Sequence, residues 1–136
     1  MIEFRLDGYS NVATYMQLVQ QVRQSLRVGL IETGDQLPKV RDVAGSLAIN
    51  PNTVLKAYRQ LEIEGLVEAR PGVGTFVRRT LAGPSLAAQK ALRRDLVAWL
   101  RRARTAGLAQ EDIVALVETT LRATNHDDDR SAEGIA

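Results

Sequence analysis

The stretch INPNTV, residues 49–54, decides the fold of this chain, because its residue types are typical of a tight turn between two short helices. The side-chain oxygen of Asn50 can accept a hydrogen bond from the free N–H groups at the start of the second helix. Pro51 suits the first helical position, where its missing N–H costs nothing and its fixed φ already matches a helix. The stretch therefore predicts a helix-turn-helix, which presents its second helix to DNA.

Apolar residues at helical spacing predict helices on both sides of this turn and one more before them. The first helix begins near Tyr15, runs for about four turns and is expected to carry Leu30 at the end of its apolar face. The short second helix has its apolar face within residues 40–47. The third helix is predicted over residues 51–64, and a glycine directly after it suits its end.

Two short β-prone runs around a glycine-rich tip follow the third helix. Residues 66–70 and 75–78 flank the turn residues 71–74, a pattern that predicts a β-hairpin. At the N-terminus, residues 1–7 alternate Ile2, Phe4 and Leu6 with charged side chains, which predicts a short strand. A strand, three helices and a hairpin in this order predict a winged helix, with residues 66–78 as the wing.

Beyond the winged helix, assigned to residues 1–79, we predict a linker, two amphipathic helices and a tail. The linker is residues 80–85, the helices lie within residues 86–124, and the tail of residues 125–136 is expected to be disordered. Two helices of this length make a poor core alone, so they should pack on the winged helix or pair with a second copy. The residues expected at a homodimer interface are Leu92, Leu96, Trp99, Leu100, Ile113, Val117 and Leu121.

Composition excludes several classes of protein. The chain has 136 residues, no cysteine and a formal net charge of +2. The lack of cysteine excludes a disulfide framework and thiolate chemistry. A charge of +2 is too weakly basic to indicate nucleic-acid binding by itself. No apolar run approaches the roughly 20 residues that span a bilayer, so we expect a cytoplasmic protein without membrane association.

The sequence also argues against catalysis and against a bound metal or cofactor. The only histidine, His126, lies in the predicted tail, where a metal site is not expected. The glycines of residues 72–74 lie in a hairpin rather than in the strand-to-helix loop that cradles phosphate. Asp42, Glu62 and Glu64 are expected to be exposed helical charges rather than a buried acid–base pair. We therefore predict that the chain is not an enzyme.

Several short segments, taken in order, resemble the DNA-binding domain of GntR-type bacterial regulators. They are Gly34-Asp35-Gln36-Leu37-Pro38, Val40-Arg41-Asp42-Val43-Ala44, Thr53-Val54, Leu61-Glu62-Ile63-Glu64-Gly65-Leu66-Val67 and Gly72-Val73-Gly74-Thr75-Phe76-Val77. Their order and spacing within residues 15–78 make the resemblance specific. Residues 50–54 with Lys56-Ala57-Tyr58, and a C-terminal part of only about fifty residues, resemble the YtrA branch of that family.

The resemblance implies a mainly α-helical protein with a small hairpin that binds double-stranded DNA through its third helix and its wing. A guanidinium suits a phosphate or a guanine edge, an asparagine pairs with adenine, and a threonine methyl group can touch thymine. Glycines at the wing tip let the backbone approach the minor groove. The implied contact residues are Lys39 and Arg41 on the second helix, Asn50, Asn52, Thr53, Lys56 and Arg59 on the third, and Arg70, Gly72, Gly74 and Arg78 in the wing.

Two positions of the expected interface depart from the family pattern. Lys39 stands where a serine is usual, so the second helix loses a side-chain cap worth about 1 kcal/mol. The lysine adds a charge that can reach a phosphate. Leu55 stands where arginine is frequent in other branches, which puts one expected base contact in doubt.

Other conspicuous residues have a structural interpretation. Tyr58 and Phe76 are expected in the core rather than as stacking platforms, because each falls on an inward stripe. The basic residues between positions 90 and 104 are interpreted as a solvated helix face rather than a second DNA surface. Trp99 is interpreted as an anchor of a dimer or a core rather than as a ligand platform.

We therefore expect a sequence-specific transcription regulator that acts as a homodimeric repressor on a palindromic operator. The resemblance also implies control of a neighbouring transporter operon and of its own gene, and a small-molecule inducer that no residue here identifies. Two alternatives remain open. One is an architectural DNA-binding protein without sequence preference, and the other is a winged-helix module that binds a protein partner.

Overall fold

The computed structural model describes residues 2–81 and 86–133 of the chain. The chain divides into two compact units, Met1–Lys90 and Ala91–Ala136. Residues 82–85 of the predicted linker and residues 134–136 of the predicted tail lie outside the described residues. None of the helices in the described ranges is long and apolar enough to cross a membrane.

The winged part of the first unit consists of three helices followed by two strands. These are α1 (Thr14–Arg27), α2 (Val40–Leu47), α3 (Pro51–Ile63), β1 (Val67–Arg70) and β2 (Gly74–Val77). The strands pair antiparallel, with Val67 opposite Val77 and Arg70 opposite Gly74. Three helices followed by a hairpin confirm the predicted winged helix-turn-helix.

The core of this unit lies where α1 packs against α3. Leu18, Val22 and Leu26 of α1 have no exposed surface, and neither do Val54 and Leu61 of α3. Burying an aliphatic side chain of this size contributes about 1.5–3 kcal/mol relative to leaving it in water. The α1–α3 contact therefore fixes which face of α3 is left for a partner.

The N-terminal segment differs from the prediction, because its described residues, 2–7, do not form a strand. Side-chain amides of α1 bond the backbone of this segment instead. The Gln21 side chain accepts from the Arg5 N–H and donates to the Arg5 carbonyl, and Gln17 does the same for Asp7. The predicted alternation is still visible in the burial of Phe4, which joins the core.

The end of α1 also differs from the prediction, because Leu30 is not on its buried face. The helix ends at Arg27, and Gly29 then turns the chain with φ of 73°. The Leu30 N–H donates to the Ser25 carbonyl across this turn, a common way to end a helix. The reversal leaves Leu30 47% exposed and buries Ile31 in its place.

The connector before α2 supports the wing, which the sequence did not indicate. The N–H groups of Gly34 and Leu37 donate to the carbonyls of Val77 and Thr75, and the Val77 N–H donates to the Asp35 carbonyl. These bonds pair the connector with the outer edge of β2, and Leu37 is buried. The base of the wing is therefore held from both sides, by β1 and by the connector.

The second unit contains most of α4 (Leu86–Thr105) and all of α5 (Gln110–Glu133). The prediction of a disordered tail from residue 125 is wrong as far as Glu133, because α5 continues through it. The physical reason is that neither glycine nor proline occurs between residues 110 and 133, so nothing interrupts the helix. Beside the turn at Gly107, Ala103 and Ile113 are buried.

Replacing Gly65 by alanine tests how α3 ends. Gly65 has φ of 76°, its N–H donates to the Glu62 carbonyl, and a Cβ there would meet nothing within 4 Å. We expect Gly65→Ala to lower the free energy of unfolding by about 1–2 kcal/mol, because alanine is strained at positive φ. Gly45→Ala, inside α2, should instead raise it by about 0.5–1 kcal/mol. Urea denaturation measures both, and equal effects would contradict this account.

Candidate nucleic-acid interface

The start of α2 presents two exposed cations. Lys39 is the N-cap residue in an extended conformation, and within the described part of the chain its side chain makes no capping bond. Its carbonyl accepts from the N–H groups of Asp42 and Val43, so the backbone alone starts the helix. Arg41 follows on the exposed face of the first turn. The predicted loss of a side-chain cap at Lys39 is confirmed.

The start of α3 is capped as the sequence predicted. The Asn50 side-chain oxygen accepts from the Asn52 N–H at 2.9 Å, and Pro51 occupies the first turn. The cap fixes the direction in which α3 leaves the turn. Asn52 is exposed, and Thr53 is half-buried beside it.

The exposed face of α3 is polar and basic around one apolar residue. Asn52, Lys56 and Arg59 recur at helical spacing on this face, and all three side chains are exposed. Leu55 lies among them and is also exposed. The structure therefore brings three of the predicted contact residues onto one stripe, with a leucine in place of a further cation.

Lys56 lies against the first turn of α1. Its ammonium nitrogen is 4.1 Å from the centroid of the Tyr15 ring, a distance at which a cation is attracted to an aromatic face. Sequence patterns placed Tyr15 on the inner face of α1 and missed this contact. Only the α1–α3 packing brings the two residues together, so no local signal could have found it.

Tyr58 is a core residue, as predicted, and also links α3 to the segment before α2. Its hydroxyl donates to the Pro38 carbonyl at 2.5 Å. Burial raises the pKa of the Tyr58 hydroxyl well above its usual range, because the phenolate would lose its hydration. The hydroxyl therefore stays protonated and links the middle of α3 to the segment just before α2.

Phe76 is not the core residue that the sequence predicted. It is half-buried, and the guanidinium of Arg70 lies 4.3 Å from its ring centroid. The Nε and Nη2 groups of Arg70 also donate to Glu68 Oε1, at 3.0 and 2.9 Å. Because β2 is covered on only one face, Phe76 supports a surface arginine instead of entering the core.

The wing tip approaches the start of α2. Lys39, Arg70, Gly72 and Gly74 line one cleft of about 380 Å³ between the hairpin and α2. Arg78, just after β2, is exposed as well. Four of the predicted contact residues are therefore neighbours across a single groove.

The exposure of Glu64 also differs from the sequence-based prediction. It was expected to be exposed, but it is half-buried at the end of α3 and forms an ion pair with Arg23 of α1. The two residues are 41 positions apart, so helical spacing alone gave no sign of the pair. The pair fastens the far end of α3 and leaves its start to face a partner.

The predicted dimer residues of the second unit differ in their exposure. Leu92, Leu96 and Leu121 are exposed, whereas Ile113 is only 7% exposed and is already buried within one chain. The remaining three are half-buried, namely Trp99, Leu100 and Val117. An open groove of about 390 Å³ between α4 and α5 is lined by Leu96, Trp99, Leu116, Val117, Thr120 and Leu121.

Comparison with known proteins identifies the family. Residues 14–77 match the model described as "Bacterial regulatory proteins, gntR family". The chain is 39% identical over 108 residues to the HTH-type transcriptional regulator Rv1152 of Mycobacterium tuberculosis, a match that covers 79% of this chain and 85% of that protein. This chain belongs to the GntR family. Its members are DNA-binding transcription regulators and not enzymes.

Two further relatives support the predicted resemblance to the YtrA branch. The chain is 41% identical over 73 residues to the HTH-type transcriptional repressor YtrA of Bacillus subtilis, which covers 54% of this chain and 56% of YtrA. That match therefore spans little more than half of YtrA. The solved structure of YtrA from Sulfolobus acidocaldarius is 26% identical with a TM-score of 0.53, covering 75% of this chain and 97% of that one.

Removing the Tyr58 hydroxyl tests the link between α3 and Pro38. We expect Tyr58→Phe to lower the free energy of unfolding by about 1–2 kcal/mol, because the partly buried Pro38 carbonyl loses its donor. Tyr9→Phe is the matched control, since Tyr9 is fully exposed, and should change stability by less than about 0.5 kcal/mol. Urea denaturation of the three proteins measures the difference. Equal stability of the two variants would show that the Pro38 bond contributes nothing.

Proposed function

We propose that this GntR regulator is a cytoplasmic homodimeric repressor that binds a palindromic operator. The observation that carries the proposal is the exposed stripe of Asn52, Lys56 and Arg59, which begins at the capped end of α3, together with the exposed Arg41 of α2. A helix with its start uncovered and its other face buried can enter a major groove. We therefore propose that the first unit binds DNA and that the second unit binds a second copy of the chain.

The first turns of α3 would contact the base edges that specify the DNA sequence. Asn52 can pair with an adenine edge, and the methyl group of Thr53 can contact a thymine. Leu55 offers only apolar contact at the centre of the stripe, so thymine methyl groups suit it better than guanine. We therefore propose that the operator positions facing α3 are rich in A·T pairs.

The cations at the start of α2 and just after the wing supply the sequence-independent part of binding. Arg41 and Lys39, at the start of α2, can reach phosphates next to the major groove. Arg78 can do the same near the wing, where Arg70 and the wing tip would lie against the minor groove. Each phosphate contact of this kind adds to the salt dependence of binding.

A second copy of the chain is the partner proposed for the second unit. Exposed Leu92, Leu96 and Leu121 lie on or beside the apolar groove of α4 and α5. Burying apolar surface contributes about 25 cal/mol per Å², so covering these side chains favours association. A two-fold dimer would place two winged units on a palindrome, because the symmetry of the protein is repeated in its site.

Repression would follow from the position of the operator. A dimer bound across a promoter excludes polymerase, and we propose that the promoters concerned are those of its own gene and of a neighbouring transporter operon. A small-molecule inducer would act by loosening or reorienting the dimer. The groove of the second unit is a place where such a molecule could bind.

Binding to DNA selected by the protein itself tests the proposal. The wild-type chain would be used to enrich duplexes from a random library, and fluorescence anisotropy would compare the selected duplex with a scrambled one. We expect much tighter binding to the selected duplex, with a two-fold symmetric footprint. Equal, strongly salt-dependent binding to both would favour an architectural protein, and no binding to either would favour a protein-interaction module.

Arg41→Ala tests the contact proposed at the start of α2. We expect it to weaken binding to the selected duplex by about 1–3 kcal/mol, because a guanidinium contact is lost. Arg5→Ala removes an exposed arginine outside the proposed interface and should leave binding unchanged. Circular dichroism confirms that both variants fold. Wild-type affinity in Arg41→Ala would remove this residue from the interface.

Trp99→Ala tests the proposed dimer. We expect Trp99→Ala to weaken the free energy of dimerisation by about 2 kcal/mol or more, because aromatic residues in apolar grooves dominate interfaces. Val114→Ala removes an exposed apolar side chain of α5 that does not line the groove, and should leave the dimer intact. Sedimentation velocity over a concentration series measures both. An unchanged dimer in Trp99→Ala would place the interface elsewhere.

A further inference from the structure

Three side chains of the wing form one cluster on the surface of the hairpin. Arg70 donates through Nε and Nη2 to the same oxygen of Glu68, at 3.0 and 2.9 Å. The guanidinium also lies 4.3 Å from the centre of the Phe76 ring. Arg70 is therefore held from one edge by a carboxylate and from one face by an aromatic ring.

The register of the hairpin creates this cluster. Glu68 lies directly opposite Phe76, and Arg70 is two residues beyond Glu68 on the same face of β1. Gly74, directly opposite Arg70, brings no side chain of its own. The arginine consequently folds back over the neighbouring Glu68–Phe76 pair, which is within the diagonal reach of a long side chain.

The held arginine keeps part of its binding capacity. A guanidinium has five N–H donors, and two of them are used by Glu68. The other three, one on Nη2 and two on Nη1, remain suited to a base edge or a phosphate. The carboxylate of Glu68 meanwhile offsets the positive charge and competes with DNA phosphates for the guanidinium.

We propose that Glu68 is a specificity-determining residue of the wing, because it restrains Arg70 from contributing to sequence-independent DNA binding. The inference rests on the proposed function of the wing. Phosphate contacts carry no sequence information, so an unrestrained arginine at the wing would strengthen binding to every duplex equally. A restrained arginine contributes only where the groove of the DNA fits its fixed edge. Phe76 acts as a positioning residue in the same cluster.

Releasing Arg70 should change the affinity for any one duplex only slightly. The change should be recognised from its dependence on the duplex and on the salt concentration. The side chains of Glu68 and Arg70 are 44% and 54% exposed, and ion pairs with this exposure are weak. Releasing Arg70 should therefore change affinities by about 1.5- to 5-fold. The salt dependence of binding is the more diagnostic quantity, because each additional phosphate contact changes its slope by about 0.9.

Glu68→Gln is the central variant of the test. Anisotropy titrations at several salt concentrations would compare the selected and scrambled duplexes for the full-length chain. We expect Glu68→Gln to bind the scrambled duplex about 1.5- to 5-fold more tightly, with a salt slope steeper by about 0.9. Affinity for the selected duplex should rise less than this. The ratio of the two affinities should therefore fall.

The same substitution in an Arg70→Gln background separates restraint of Arg70 from a direct effect of the Glu68 charge. We expect Glu68→Gln to have little effect there, because no guanidinium is left to release. An equal gain in both backgrounds would overturn the inference, since Glu68 would then act only by repelling phosphates. Phe76→Leu should also lower the affinity ratio, whereas Phe76→Tyr, which keeps the ring, should preserve it. Thermal melting checks that every variant folds.

The wild-type titration distinguishes failure of this inference from failure of the proposed function. A wild-type chain that binds selected and scrambled duplexes equally would refute the sequence-specific function, and the inference with it. A wild-type chain that prefers the selected duplex, beside a Glu68→Gln variant with an unchanged affinity ratio and salt slope, would refute the inference alone.

Discussion

The packing of α3 against α1 is the constraint on which the rest of the molecule depends. Val54, Ala57 and Leu61 have no exposed surface, so the rotation of α3 about its own axis is fixed by its buried side. The side of α3 on which Asn52 and Lys56 lie follows from that rotation. The Asn50 cap and the turn at Gly65 then fix where α3 begins and ends.

Signals that lie within a few residues of each other were sufficient to predict the helices and the hairpin. The cap at Asn50, the proline after it and the helical spacing of apolar residues are local, and each appears where it was predicted. The strand predicted within residues 1–7 was wrong, because the hydrogen-bond partners of Arg5 and Asp7 are glutamine side chains of α1, more than nine positions away. The pairing of residues 34–37 with β2 went unseen for the same reason, since a partner so distant leaves no periodic pattern.

The sequence predicted which elements carry the residues of the candidate site, but not which side chains those residues contact. The predicted cations are where the sequence placed them, on the starts of α2 and α3 and on the wing. What holds them was missed: Tyr15 under Lys56, and Phe76 beneath Arg70. Surface cation–π contacts and ion pairs each contribute only about 0–1 kcal/mol. Contacts this weak leave no recognisable pattern in the sequence. Phe76 was wrongly assigned to the core, because alternation along a strand shows which residues share a face but not which face is covered.

Two kinds of cation thus occur among the residues of the candidate interface. Lys56 and Arg70 rest on aromatic rings, whereas Arg41 and Arg59 extend from exposed helix faces. A side chain that is already ordered loses less conformational entropy when it meets a partner, but it can meet only a partner of matching shape. A mobile side chain can follow a phosphate wherever the backbone of the DNA places it. On the proposed function, the pair that rests on aromatic rings is therefore suited to discrimination among DNA sequences and the pair on exposed helix faces to affinity. That division of roles follows from which cations the fold supplies with a ring.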